Sequence, residues 1–203
     1  MNAIDYGSSR NEKILADVIA HWEIKNGVYF ITLRVVDSMP RGVQRKLDEE
    51  RSSLETIEAK SEAFLEYQRN VFRICEKYLD SGYGYCLFED ENIARSMEVE
   101  IINSCQKDLW ETLQFCIMPN HVHLIAGPAD KAAIGVEDFV KRLKGRSSFR
   151  INRELGRRGR FWQIDWFDRW IRDEAEFKRV EDYIRKNPEK ARLPERYRNT
   201  PYQ

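Results

Sequence analysis

The stretch WETLQFCIMPNHVHLIAGP, residues 110–128, decides the fold. Residues 110–117 are apolar enough for a strand, the Pro119-Asn120 pair breaks it, and VHLIA resumes as a second strand. Two strands joined by so short a break form a hairpin. His121 and His123 then open the returning strand, where residues two apart project from one face, so both imidazoles point the same way.

Upstream, VYFITLRVV at 28–36 is β-branched and aromatic with no breaker inside, which predicts a buried central strand ended by Ser38, Met39 and Pro40. Residues 41–79 turn helical, with Leu54, Ile57, Ser61, Phe64, Gln68, Val71, Cys75 and Tyr78 recurring at spacings of three and four. The charge run at 47–51 reads as a solvated face. Gly82 and Gly84 mark a turn into YCLFED at 85–90, expected as a short strand, and 91–104 predicts another helix.

Downstream, 136–155 predicts a helix closed by Gly156 and Gly159. Val136, Val140, Leu143, Ile151 and Leu155 share one face, while Arg142, Arg146, Arg150, Arg153 and Arg157 form a basic stripe roughly 120° away. An aromatic cluster, RFWQIDWFDRWIRD, fills 160–173, and a last helix at 174–186 is ended by Asn187-Pro188. The expected organisation is a polar lead-in at 1–24, a single domain at 25–193 and a polar tail at 194–203.

A chain of 203 residues is long enough for a proper core in one domain. Acidic and basic residues balance at 34 each, so net charge gives no argument for a partner and the distribution of charge must supply it. Cys75, Cys86, Cys105 and Cys116 form no CxxC pair or zinc spacing, and no hydrophobic leader is present. Reduced thiols in a cytoplasmic protein are expected. No apolar run approaches the ~20 residues of a membrane helix, so a soluble protein is expected.

Paired imidazoles on a strand suit a divalent metal, each binding through a neutral nitrogen, although an isolated His-x-His is more often a chance of strand alternation. The segment DYIRKNP at 182–188 adds a second constellation. Tyr183 and Asn187 lie four apart, hence on one helical face. Tyrosine offers an oxygen nucleophile and asparagine a carbonyl ligand suited to magnesium or manganese; a core aromatic and a helix-end asparagine are the bland alternatives.

MPNHVHLI resembles the signature strand of the HUH single-strand transposases. YFITLRVVDSMP, KGRSSFRINRELGRRGRFWQIDWFDRWIRDEAEF and YIRKNPEKARL are similar, in the same order, to blocks of the REP-associated tyrosine transposases in that superfamily, over residues 29–193. The resemblance implies an α+β, ferredoxin-like or RRM-like fold, a mainly antiparallel sheet of four or five strands with helices packed on it. It implies that His121, His123 and Asn187 hold Mg2+ or Mn2+ and that Tyr183 is the nucleophile. Its substrates would be hairpins in single-stranded DNA, such as REP palindromes, cut and rejoined through a 5′-phosphotyrosine by a bacterial, nucleoid-associated enzyme acting as monomer or homodimer. Glu189 and Arg192 stand where the family more often has valine and glycine.

The basic stripe fits such a substrate, because phosphate contacts supply most nucleic-acid affinity. Arg142, Lys144, Arg146, Arg150, Arg153, Arg157, Arg158 and Arg160 are the expected DNA-binding residues, with Trp162 beside them; Trp162, Trp166, Phe167 and Trp170 could each stack an unpaired base, although the more frequent role of each is core. Two other readings use the same scaffold: a domesticated hairpin-binding protein that does not cut, and a metal-dependent phosphodiesterase using water.

Overall fold

The computed structural model describes residues 13–17, 19–52, 62–199 and 201–203. The expected α+β architecture is present. Strands β1 (Lys13–Asp17) and β2 (Ile19–Glu23) form an antiparallel pair of their own. Strands β3 (Val28–Arg34), β4 (Trp110–Met118), β5 (His121–Pro128) and β6 (Phe167–Ile171) make an antiparallel sheet in the order β4-β5-β3-β6. Helices α1 (Arg41–Ser52), α2 (Glu62–Leu79), α3 (Glu91–Asp108), α4 (Val136–Glu154) and α5 (Glu174–Lys190) complete it. No helix among the described residues is long and apolar enough to cross a membrane.

The uninterrupted apolar run of β3 follows from burial on both of its faces. Tyr29, Ile31 and Leu33 belong to one core with Ile93, Met97 and Ile101 of α3 and Phe139, Val140 and Leu143 of α4. Val28 and Phe30 face the other way, into a second core with Ile125, Phe177 and Ile184, against which Phe72 of α2 and Tyr183 of α5 pack. Alternation thus assigns each residue of β3 to one of two layers. Trp110 and Phe139 stack in parallel with ring centroids 4.2 Å apart, closing the first core at the β4 end.

Helix starts follow capping chemistry. Asp90 accepts from the Asn92 N–H at 2.9 Å to begin α3, and Asp173 accepts from the Glu176 N–H at 2.7 Å to begin α5. Leu109, at φ 56°, ends α3 in the left-handed conformation.

Several expectations are corrected. The lead-in contains the β1–β2 pair, whose strands of five residues each are too short for periodicity to register. Residues 85–90 form no strand: Leu87–Glu89 is one 3-10 turn that buries Phe88 immediately before the Asp90 cap. The aromatic segment instead supplies β6, which among the described residues is an edge strand paired with β3. The helical expectation for 41–79 is met at both ends, and its middle, 53–61, lies outside the described residues.

Helix α5 runs past Pro188 to Lys190. Proline removes the N–H that would reach the Ile184 carbonyl, and the Gln203 side-chain amide donates there instead at 3.5 Å. The tail is therefore part of the fold. Tyr197 and Tyr202 are buried with ring centroids 4.3 Å apart, and the Ile117 N–H donates to the Tyr202 carbonyl at 2.8 Å, covering the outer edge of β4.

Arg192 has φ 55°, the left-handed region that costs an L-residue roughly 1–2 kcal/mol, part of which glycine returns as unfolded-state entropy. Arg192→Gly is expected to stabilise the fold by roughly 0.5–1 kcal/mol, read as a higher urea midpoint at unchanged m-value.

Candidate metal and nucleophile site

The β4–β5 turn sets the geometry. Asn120 is fully buried; its backbone carbonyl accepts from the Val35 N–H at 2.9 Å and its side-chain N–H donates to the Tyr83 carbonyl at 2.8 Å. That carbonyl is delivered by a close backbone approach: Gly84 has φ +84°, and a Cβ there would lie 2.2 Å from the Asp37 carbonyl oxygen. With its amide nitrogen committed, Asn120 presents Oδ1 to His121 Nδ1 at 2.8 Å. The imidazole must donate from Nδ1, so Nε2 carries the lone pair.

His121 and His123 are both fully buried, and their Nε2 atoms lie 3.1 Å apart. The expected side-by-side projection from β5 is observed. Burial holds the His121 pKa well below the ordinary imidazole range, and His123, Arg34 and Lys190 add to the effect, so the ring is neutral at physiological pH. His123 Nδ1 sits 2.9 Å from the Thr32 hydroxyl, on the strand opposite. Both outer nitrogens are thus occupied by protein partners, and both inner ones converge.

Helix α5 brings Tyr183 to this pair. Its ring centroid is 5.5 Å from that of His123, and it packs edge-on against Phe30 at 6.0 Å and Phe72 at 5.8 Å. Lys190 lies 5.4 Å from the Tyr183 ring centroid and bridges to Asp80 at 2.9 Å, tying the end of α2 to the end of α5. Asn187 follows one turn after Tyr183 and is fully buried. The Tyr183 hydroxyl and both amide atoms of Asn187 are buried with no hydrogen-bond partner among the described residues.

Sequence reasoning missed Glu76. It projects from α2 with 5% exposure, and one carboxylate oxygen lies 3.6 Å from His123 Nε2. Glu76, His121 and His123 offer ligand atoms all within 4.8 Å of one another. The signal was a charged residue four positions after Phe72 and three before Leu79, on the face that packs inward. Buried polar atoms without partners are costly; the two Glu76 oxygens are such atoms, and with the His121 and His123 nitrogens they make a donor set that fits a divalent cation. The cysteines add no thiolate: burial pushes Cys105 up to about 11 and Cys116 up to about 12.

The basic stripe is less available than its sequence implies. Arg142 and Arg146 pair with Asp108 of α3 at 3.0 and 2.5 Å, and Arg150 pairs with Glu100 at 2.8 Å and Glu154 at 3.3 Å. Burial alone would raise the Asp108 pKa, but the two guanidiniums outweigh it and hold the carboxyl below its usual range. Lys144 donates to the Ile164 carbonyl at 2.6 Å, sits 4.9 Å from the Trp166 ring centroid, and is lowered by burial to about 8. Arg157 is half-buried and donates to the Arg160 carbonyl at 3.2 Å, whereas Arg153, Arg158 and Arg160 are exposed.

Trp162 is no stacking platform. It is 3% exposed, lies in the core and donates to the Ser147 hydroxyl at 2.9 Å. Trp162→Ala is expected to cost about 3–5 kcal/mol of stability, measured by chemical denaturation.

The family profile described as IS200-like transposase matches residues 82–187, just over half of the chain. A Haemophilus influenzae protein named as a candidate REP-associated tyrosine transposase is 31% identical over 107 residues, which span 49% of this chain and 61% of that protein. Among solved structures, a REP-associated tyrosine transposase bound to a REP hairpin superposes with a TM-score of 0.51 at 15% identity, covering 90% of this chain and 78% of the other. A candidate transposase from Deinococcus radiodurans R1 gives a TM-score of 0.43 at 14% identity, covering 81% and 92%.

Proposed function

Because the chain belongs to the IS200-like transposase family, we propose that it is a REP-associated tyrosine transposase that cuts and rejoins single-stranded DNA beside hairpins, with Tyr183 as nucleophile. The observation that carries this reading is the meeting, within one chain, of the Tyr183 ring and the paired imidazoles of His121 and His123. The approach of Tyr183 to the histidines of its own chain also supports action as a monomer. The hairpin substrate is inferred from the structural neighbour, which is bound to one.

In this reading the phenol of Tyr183 loses its proton and its oxygen attacks phosphorus in line. The bond from phosphorus to the 3′ oxygen breaks, that oxygen takes up a proton, and the 5′ phosphate remains esterified to tyrosine. A 3′-hydroxyl from another strand then reverses the step without ATP, because the ester retains the energy of the broken bond. Phe30 and Phe72 fix the ring orientation from two sides. His121, His123 and Asn187 would hold Mg2+ or Mn2+, which when bound supplies charge neutralisation at the phosphate and leaving oxygen. Exposed Arg153, Arg158 and Arg160 would contact backbone phosphates and position the strand.

The test is incubation of the full chain with hairpin-bearing single strands, with and without Mn2+, followed by denaturing electrophoresis and mass spectrometry. A DNA adduct on the peptide containing Tyr183, formed only with metal, is expected. Cleavage that leaves every tyrosine unmodified would instead indicate hydrolysis by water and end this proposal.

A further inference from the structure

The geometry points to Glu76 as a metal ligand, so that helix α2 contributes a carboxylate to the same cation that His121 and His123 bind. This rests on the reading of that pair as a metal site, and adds to it a donor from an element outside the matched family region of residues 82–187.

Three observations support the assignment. Glu76 is 5% exposed, and neither carboxylate oxygen has a hydrogen-bond partner among the described residues. A buried carboxylate without donors is among the costliest arrangements in a protein interior, and a cation relieves it. Second, its oxygen is 3.6 Å from His123 Nε2, outside hydrogen-bond range, while the three donor atoms lie within 4.8 Å of one another, the spacing of ligands around a shared ion. Third, His121 donates outward from Nδ1 to Asn120, so its inner nitrogen offers a lone pair toward His123 and the carboxylate. A cation seated there would take the His121 lone pair and balance the buried carboxylate charge.

The resulting set is two imidazole nitrogens, the Asn187 amide oxygen proposed above and one carboxylate. The carboxylate leaves a cluster loaded with a divalent ion with one net positive charge, and its oxygen donors suit Mn2+ as a probe ion. Because the same helix lays Phe72 on the Tyr183 ring and is clasped to α5 through Asp80, cation binding would also fix α2 over the nucleophile.

The experiment is titration of the full chain with Mn2+ alone, without DNA, read by electron paramagnetic resonance and by the metal-induced rise in Tm. Wild type, Glu76→Gln, Glu76→Asp and His121→Ala are compared, the aspartate serving if the glutamine variant does not fold. At least about a tenfold loss of Mn2+ affinity and a smaller Tm rise are expected for either Glu76 variant, with a comparable loss for His121→Ala. Wild-type affinity in the Glu76 variants beside a loss in His121→Ala would overturn the role of Glu76 and leave the proposed function standing. Wild-type affinity in His121→Ala would overturn both, since the ion would then bind elsewhere.

Discussion

Tyr183→Phe is expected to abolish the covalent DNA adduct, with the rate falling below detection, while hairpin binding and thermal stability stay close to wild type. The change removes one oxygen and leaves the ring, so the edge contacts to Phe30, Phe72 and His123 persist. That oxygen is buried and has no hydrogen-bond partner among the described residues, so its loss strands no donor or acceptor. A purely structural tyrosine at this position would make the phenylalanine variant neutral in every assay. A catalytic one makes it silent in cleavage alone. Wild-type adduct from the variant would remove Tyr183 from its role.

His123→Ala and His121→Ala are each expected to reduce metal-dependent cleavage by at least about a hundredfold, and EDTA to reproduce the loss in wild type. The two variants differ in their structural side effects. His121→Ala leaves Asn120 Oδ1 without its donor inside the turn, whereas His123→Ala frees a Thr32 hydroxyl that can rotate and removes ring contacts to Phe30 and Tyr183. His121→Ala should therefore lower Tm more than His123→Ala while the catalytic losses remain similar. Undiminished cutting by either variant, or in EDTA, would defeat the metal assignment.

The hairpin, the central strand and the last three helices were legible because each carries a long periodic signal or a proline-asparagine break. The facing imidazoles followed from strand alternation alone. The Tyr183 approach did not: four-residue spacing places Tyr183 and Asn187 on one face, but only packing of α5 on the sheet sets that face toward His123. Glu76 was hidden by its neighbours, since one acid in a helix full of Glu, Lys and Arg looks solvated until Phe72 and Leu79 show which way the helix turns. The pairing of Arg142, Arg146 and Arg150 was hidden for the opposite reason. Its partners Asp108 and Glu100 lie on a different helix, and pairing across helices leaves no trace in local spacing. Trp162 and β6 were obscured by aromatic composition that serves core, edge and base contact equally well.

The two-sided burial of β3 divides the molecule's tolerance to change. Substitutions among Tyr29, Ile31 and Leu33 reach the layer under α3 and α4 and bear on endurance; those at Phe30 and Thr32 reach the layer holding the histidines and tyrosine, where the proposed chemistry lies. An engineer could therefore harden one side of the wall and retune the other in separate rounds, with even-numbered and odd-numbered positions of a single seven-residue strand as independent dials.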